Sequence, residues 1–217
     1  MDGAGSSRRH EKRFDQEERS FYCCVMNEIT GNETRDIILD VAEKLIYKSG
    51  IAATGMDLLV KTAGVSRKSI YRYFTNKDDL VVAALKRRDE RWMLWFSTEV
   101  DKAPIPAARL LNLFTVLKGW FDSEGFRGCA FINTSGETGD PQDPVRQVAK
   151  LHKQKLLEYV TRLCVDQGIE NPETLARQLL ILIDGAITVA LVMGDHSAAD
   201  DARDMLKTLL PMDSPQA

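Results

Sequence analysis

The sequence predicts an all-α chain of about nine helices: an N-terminal three-helix head followed by a larger helical body. Three observations carry this. Apolar residues recur three and four positions apart through most of the chain. No stretch alternates apolar and polar as a half-buried strand would. Gly and Pro fall between the periodic runs, where they stop and start helices. With 217 residues, 44% of them hydrophobic, the chain can bury one large core or two small ones. No internal repeat is visible.

Residues 1–33 read as an N-terminal extension, partly disordered, beginning with the charged run MDGAGSSRRHEKRFDQEERS. Phe21–Ile29 is apolar enough for a short helix. Arg8, Arg9, Lys12 and Arg13 are candidates for phosphate contacts, but Glu11, Asp15, Glu17 and Glu18 offset them, so an ordinary solvated tail is the preferred reading.

Thr34–Ser49 predicts the first helix of the head, with Ile37, Ile38, Val41, Ala42, Leu45 and Ile46 as its buried stripe and Gly50-Ile51 as its stop. Thr54 is placed to cap the second helix, in which Met56, Leu59 and Ala63 share a face. Gly64 supplies the turn and Val65 an apolar plug. Ser66 is placed to cap a third helix, in which Ile70 and Phe74 point inward. Arg67, Lys68, Ser69, Tyr71 and Arg72 are left facing out. A short helix with cations, hydroxyls and an aromatic at its exposed end suits a DNA major groove. Thr75 is read as the cap of the next helix, with Asp78 and Asp79 in its first turn.

That next helix, roughly Lys77–Val100, carries Leu80, Val81, Ala84, Leu85, Trp92, Trp95 and Phe96, completes the core of the head and spans into the body. Pro104 and Pro106 separate it from a helix near Ala107–Phe121, marked by Leu110, Leu111, Phe114, Leu117 and Phe121. A helix from about Gly128 to Gly139 follows. Pro141 and Pro144 precede a longer one near Val145–Gln167, with Val148, His152, Leu156, Tyr159 and Leu163 on one face. Glu173–Met193 is the most apolar helix, and Ala198–Leu210 the last before a polar tail. The domain reading is therefore 1–33 extension, 34–80 helix-turn-helix DNA-binding head, 81–212 helical body, 213–217 tail, the body taking effector-binding and dimerisation roles only through the resemblance described below. The apolar run Leu179–Met193, interrupted by Asp184, is too short and too polar for a membrane span, and no membrane partner is expected.

Net charge is −3, which does not advertise nucleic-acid binding, but its distribution does. Residues 34–91 hold 12 basic and 8 acidic groups, whereas residues 92–217 hold 12 and 17. A basic head sits on an acidic body. The four cysteines, Cys23, Cys24, Cys129 and Cys164, have neither disulfide-framework nor zinc spacing, so a reducing cytoplasm is the expected compartment.

The run AGVSRKSIYRYFTNKDDL closely resembles the helix-turn-helix of the tetracycline-repressor (TetR) family of bacterial transcription regulators. The matching features are the Gly64-Val65 turn, the recognition helix Ser66–Arg72, the pair Tyr71 and Phe74, and Lys77. The likeness is specific across about Thr34–Leu85, and beyond that rests on helical layout. It implies DNA contacts from Thr54, Ser66, Arg67, Lys68, Ser69, Tyr71, Arg72, Tyr73 and Lys77. It also implies a homodimer through the last two helices (173–210), operator DNA as partner and a small-molecule effector. Surplus apolar residues on Glu173–Met193, beyond what one stripe needs, point to the same dimer surface.

For the effector the candidates are Trp92, Trp95, Phe96, Phe114, Cys129, Asn133, Glu137 and His152. Cys129, Asn133 and Glu137 fall four apart and read as one helix face, and Trp120, Phe126 and Phe131 add aromatic surface. No cofactor, metal or catalytic residue is expected. Cys129 reads as an inert buried thiol. The expected function is a ligand-responsive repressor that releases a palindromic operator on binding a small molecule. An activator or ligand-independent regulator is the alternative, with a thiol-based sensor or Cys/His enzyme behind it.

Overall fold

Nine helices form in the computed structural model of the chain, which describes residues 33–210, and no strand occurs among those residues. They are α1 (Glu33–Ala53), α2 (Met56–Ala63), α3 (Arg67–Tyr73), α4 (Lys77–Asp101), α5 (Pro106–Phe121), α6 (Ala130–Gly136), α7 (Pro144–Asp166), α8 (Pro172–Met193) and α9 (Ala198–Leu209). The expectations for the N-terminal extension and for the 213–217 tail lie outside the described residues.

α1 buries Ile38, Leu39, Ala42 and Ile46. Its stripe is rotated from the expected one: Leu39 faces inward and Ile37 is left exposed, because a 3.6-residue repeat centred on Ala42 reaches 38, 39 and 46 but not 37. The expected stop is a break at Gly50 (φ 84°, ψ 171°), after which one more helical turn runs to Ala53. α2 ends at Gly64 in the left-handed conformation, φ 65°, ψ 25°. α3 starts at Ser66, whose hydroxyl accepts from the Ser69 N–H at 3.0 Å. This is the helix, tight turn and helix that residues 54–74 predict.

Two caps differ from expectation. Gly55, not Thr54, is the N-cap of α2. Thr54 is fully buried and its hydroxyl donates backward to the Gly50 carbonyl at 2.7 Å, closing the break in α1. Asn76, not Thr75, caps α4, its side chain accepting from the Asp79 N–H at 2.8 Å. Asn competes as well as Thr for this role, and position 76 aligns the side chain with a donor three residues on.

Among the described residues, those from Ile37 to Leu210 form one compact unit. A continuous apolar cluster runs through it, from Ile38 of α1 through Leu59, Ile70 and Leu80 to Leu206 of α9. α7 is the hub of the body, packing on α4, α5, α6 and α8, while α9 lies on α5 and α8. Phe96, Phe114 and Phe121 fill its centre.

α8 extends back to Pro172, further than the apolar run alone. By length and composition it could cross a membrane, so the expectation that it is too short is corrected. Sidedness argues for a helix docked on protein. Leu175, Leu179, Ile183 and Ile187 are buried along one face, and Asp184 pairs with Lys153 at 2.5 Å.

One feature of the fold has no sequence signature. α1 and α4 are joined by a charge network: Arg88 to Glu43 at 3.1 Å, Arg91 to Asp40 and Glu43 at 3.0 and 3.2 Å, and Arg87 to Asp40. Arg88 also lies 3.7 Å from the centroid of the Tyr47 ring. Arg88 and Glu43 are both buried. Removing one member of a buried pair strands the other without water. Glu43→Leu is therefore expected to lower the unfolding free energy by about 3 kcal/mol. Breaking the exposed pair Lys102–Glu99 should cost no more than about 0.5 kcal/mol. Urea denaturation of the two variants measures the contrast, and equal losses would show that the buried network is not what holds α1 on α4.

Candidate functional site

The exposed face of α3 is set by its short length and its two anchors, Ile70 and Phe74, which are buried and fix the helix by one side. What remains outward is Arg67, Lys68, Tyr71 and Arg72, all exposed, with Tyr71 at 46% despite its ring. An aromatic this exposed, flanked by cations, leaves a surface open to a partner. Arg67 is ion-paired with the exposed Asp57 of α2, so it reaches an incoming phosphate only by exchanging partners. The Ser66 and Ser69 hydroxyls are 2.9 Å apart and engage each other while Ser66 caps the helix. Tyr73 is half-buried, its ring tilted against Phe74.

Two of the expected DNA contacts are corrected. Thr54 is fully buried beneath the surface that α2 presents. Lys77 turns inward, donating to the Ile51 carbonyl at 2.7 Å, and so ties the start of α4 to the end of α1. The Ile51 carbonyl already accepts from the Thr54 N–H at 3.2 Å and takes the Lys77 ammonium as a second, charged donor.

In the body, a crevice of about 280 Å³, counted with its open mouth, lies between α4, α6, α7 and α8. Its wall includes Arg88 and Trp92 of α4, Trp120 of α5, Phe131 of α6, His152 and Lys153 of α7, and Ile187 of α8, with Cys129 just before α6. The free space enclosed within it is only about 10 Å³, so a bound molecule must push its walls apart. Of the expected ligand residues, Trp92, Cys129 and His152 are brought together here. The others are not. Phe96 and Phe114 are fully buried core. Trp95 stands behind Trp92, its ring centroid 6.1 Å away. Asn133 is exposed and donates to the Arg127 carbonyl at 2.8 Å. Glu137 reaches away from the crevice to α1. The common face expected for Cys129, Asn133 and Glu137 does not form, because α6 spans only Ala130–Gly136 and the first and last of the three are its caps.

His152 is held from three sides. Its ring stacks on Phe131 at 3.8 Å and meets Trp92 edge-on at 5.3 Å. Its Nδ1 is 2.8 Å from Asp89 Oδ1. Burial pushes the Asp89 carboxyl up, but hydrogen bonds and charge from His152 and Lys155 hold it below the ordinary carboxylate range. An ionised carboxylate only accepts, so Nδ1 carries the proton and Nε2 is turned to the thiol. The Cys129 thiol is buried, which alone would raise its pKa. His152, Lys153 and the Ile132 N–H favour the thiolate and bring the thiol below its ordinary value. Lys153 Nζ lies 3.6 Å from the sulfur. Trp92 Nε1 is buried in the same wall without a hydrogen-bond acceptor. Sequence reasoning missed Arg88, Asp89 and Lys153, because charged residues on helices read as solvated faces unless their partners are known. Among the described residues no cluster of metal-ligand type is present.

The crevice is wired to the head. Glu137, at the end of α6, accepts from the Ile51 and Ala52 N–H groups, both at 2.9 Å, at the break in α1. The carboxylate sits so close to Gly50 that an added Cβ would meet it at 2.9 Å. The Tyr47 hydroxyl donates to the Gly128 carbonyl at 3.1 Å and accepts from the Arg127 N–H at 2.8 Å. Arg88 lines the crevice on one side and covers Tyr47 on the other.

Two family models match the chain. One, for bacterial regulatory proteins of the tetR family, covers residues 38–84. The other, a tetracyclin repressor-like C-terminal domain, covers residues 106–206. The HTH-type transcriptional regulator YjdC of Escherichia coli (strain K12) is 22% identical over 177 residues, 81% of this chain and 93% of the relative. AcrR of Shigella flexneri is 25% identical over 198 residues, 84% of this chain and 90% of the relative. The crystal structure of a TetR-family regulator from Streptomyces coelicolor matches with a TM-score of 0.76 at 29% identity, over 82% of this chain and 88% of that one.

The Asp89 pairing has a consequence for acid stability. A carboxyl whose folded pKa is depressed contributes stability that is present above its unfolded value and is lost as the pH falls through the folded one. Asp89 should therefore stabilise the fold fully at neutral pH and lose that contribution below its ordinary value of 3.8. Asp89→Asn is expected to be less stable than the wild type at pH 7, with the difference narrowing under acid. Thermal unfolding across pH 3–7 checks it, and a difference independent of pH would show that the charge on Asp89 plays no part.

Proposed function

The chain belongs to the tetR family of bacterial regulatory proteins and is a helix-turn-helix transcriptional regulator, and on that premise we propose that it is a repressor that binds a palindromic operator as a homodimer and releases it when a small molecule enters the crevice. The working compartment is then the cytoplasm, where the DNA is.

Lys68, Tyr71 and Arg72 reach base edges and backbone in a major groove, with Arg67 exchanging Asp57 for phosphate. Ser66 and Ser69 hold the N-terminal end of α3 in shape, and Tyr73 supports it from behind. The dimer surface is the outer side of α8 and α9. Ile181, Val189 and Val192 are exposed there along one stripe of α8 with Gly185 between them, and Met205 and Leu209 are exposed on α9. Ile181 and Val192 are 71% and 75% exposed, too apolar to leave in water across a stripe this long. Two copies joined there place two α3 helices on successive half-sites, about 34–36 Å apart.

The observation that carries the regulatory part of the reading is the Glu137 contact with α1. Glu137 ends the short helix whose other end, Cys129, lines the crevice. A molecule that shifts α6 by a fraction of a turn displaces that carboxylate, and with it the end of α1 on which α2 and α3 are mounted. Tyr47 and Arg88 make the parallel link through α4. The two arrangements differ in head spacing, and DNA and effector each select one.

Lys68→Ala and Tyr71→Ala are each expected to abolish specific binding in gel-shift assays while the protein still elutes as a dimer in size-exclusion chromatography. Undiminished affinity in both would remove α3 from the interface. Glu137→Ala, which touches neither DNA nor the dimer surface, should change DNA affinity by about 5- to 150-fold, the usual range of coupling between sites. If fluorescence anisotropy finds the affinity unaltered, the contact is not a coupling element.

A further inference from the structure

The crevice contains one group that a reversible ligand pocket does not need: a sulfur nucleophile with its base and cation in place. We infer that Cys129 is a modification site, that the effector class is a small soft electrophile bearing an activated carbon–carbon double bond, such as an enone or quinone, and that its addition to the sulfur is the signal that releases DNA. This rests on the regulator reading above and names the effector chemistry of that crevice.

The geometry matches what thiol addition requires. A nucleophilic cysteine needs a base to take its proton and a cation beside the sulfur. His152 is that base. Asp89 holds its Nδ1–H at 2.8 Å, which fixes the tautomer and leaves Nε2 for the thiol. Lys153 supplies the cation, 3.6 Å from the sulfur, and is itself held by Asp184 at 2.5 Å. The titratable groups acting on the sulfur are thus His152 and Lys153 on α7, while Arg88 of α4 lines the same crevice but is paired with Glu43. Asp89 stands beyond His152 and Asp184 beyond Lys153. Cys164 is the contrast: also buried, without such partners, its thiol is pushed up to about 11.

The walls select the electrophile. Phe131, Trp92 and Trp120 line the crevice with aromatic rings, which favours a conjugated molecule, and the small free space favours a small one. Trp92 Nε1 is a buried donor in need of an acceptor, which a conjugated carbonyl oxygen provides.

The step balances without an oxidant or leaving group. The thiol proton passes to His152 Nε2. The sulfur bonds to the β-carbon of the alkene, and the π pair moves onto the carbonyl oxygen as an enolate. Lys153 and Trp92 donate toward that oxygen. The α-carbon then takes the proton back from His152. The product is a thioether that occupies the crevice and displaces α6, the helix that carries Glu137.

The test uses full-length protein with Cys23→Ser and Cys24→Ser, so that Cys129 and Cys164 are the remaining thiols, and methyl vinyl ketone as the electrophile. Peptide-mapping mass spectrometry follows each cysteine, and anisotropy follows binding to DNA flanking the protein's own gene, every variant measured against its own untreated affinity. The expected result is addition to Cys129 at least ten-fold faster than to Cys164, slowed at least ten-fold by Lys153→Met or His152→Gln. At least a ten-fold loss of DNA affinity should track the adduct, absent in Cys129→Ser. Equal reactivity at the two cysteines overturns the inference and leaves the reversible-ligand repressor standing. So does selective Cys129 modification with DNA affinity unchanged. Protein that ignores DNA even before treatment overturns the regulator reading and this inference with it.

Discussion

Two charged residues stand side by side on α4, and both are buried. Arg88 and Asp89 are about 100° apart around the helix, so they face different neighbours. Arg88 meets Glu43 and Tyr47 on α1, whereas Asp89 meets His152 and Lys155 on α7. Neither charge tolerates burial without its partner. One turn of α4 is therefore clamped to the head on one side and to the hub of the body on the other. The orientation of α1, α2 and α3 relative to the crevice follows from that pair of obligations, since apolar contact alone would let α4 slide or roll by small amounts at little cost.

The same clamp builds the crevice. Once Asp89 has fixed the His152 ring against Phe131 and Trp92, the imidazole edge is presented to Cys129 and the aromatic walls are set. Arg88 closes one side while covering Tyr47, whose hydroxyl holds the loop leading into α6. Site and head thus share residues, with no long relay between them. Glu137 adds a second route, from the far end of α6 to the break at Gly50, where only glycine leaves room for the carboxylate and adopts the φ of 84° that the chain needs.

The outer side of α8 shows the opposite situation, an apolar surface with no partner in a single chain. Its inner face is satisfied by α5, α7 and α9, and its outer stripe repeats the apolar character with Gly185 at the centre. A helix this apolar on both sides is built to be covered twice, once by its own fold and once by another surface. Family membership makes a second copy of the chain the natural cover.

The helix count, the turn at Gly64, the cap at Ser66 and the burial of Ile70 and Phe74 were legible in the sequence. Periodicity, glycine and N-caps are local rules, and a helix-turn-helix is short enough to be specified by them. The ends of α4, α5, α7, α8 and α9 fell within one residue of those expected, whereas α1 runs four residues past Ser49 and α6 stops three residues short of Gly139. The outward set Arg67, Lys68, Tyr71 and Arg72 followed from the same periodicity. Thr54 and Lys77 did not. Each has a partner inside the fold, the Gly50 carbonyl for Thr54 and the Ile51 carbonyl for Lys77, both at the break in α1. Apolar periodicity and the distribution of charge along the chain, by themselves, determined an all-α chain with a basic head and an acidic body. Tertiary structure alone decided that Arg88, Asp89 and Lys153 turn inward, that Cys129 is a polarised thiol, and that Glu137 serves the head. Those outcomes depend on charges separated by tens of residues along the chain, and only the packed helices bring them within a few ångströms.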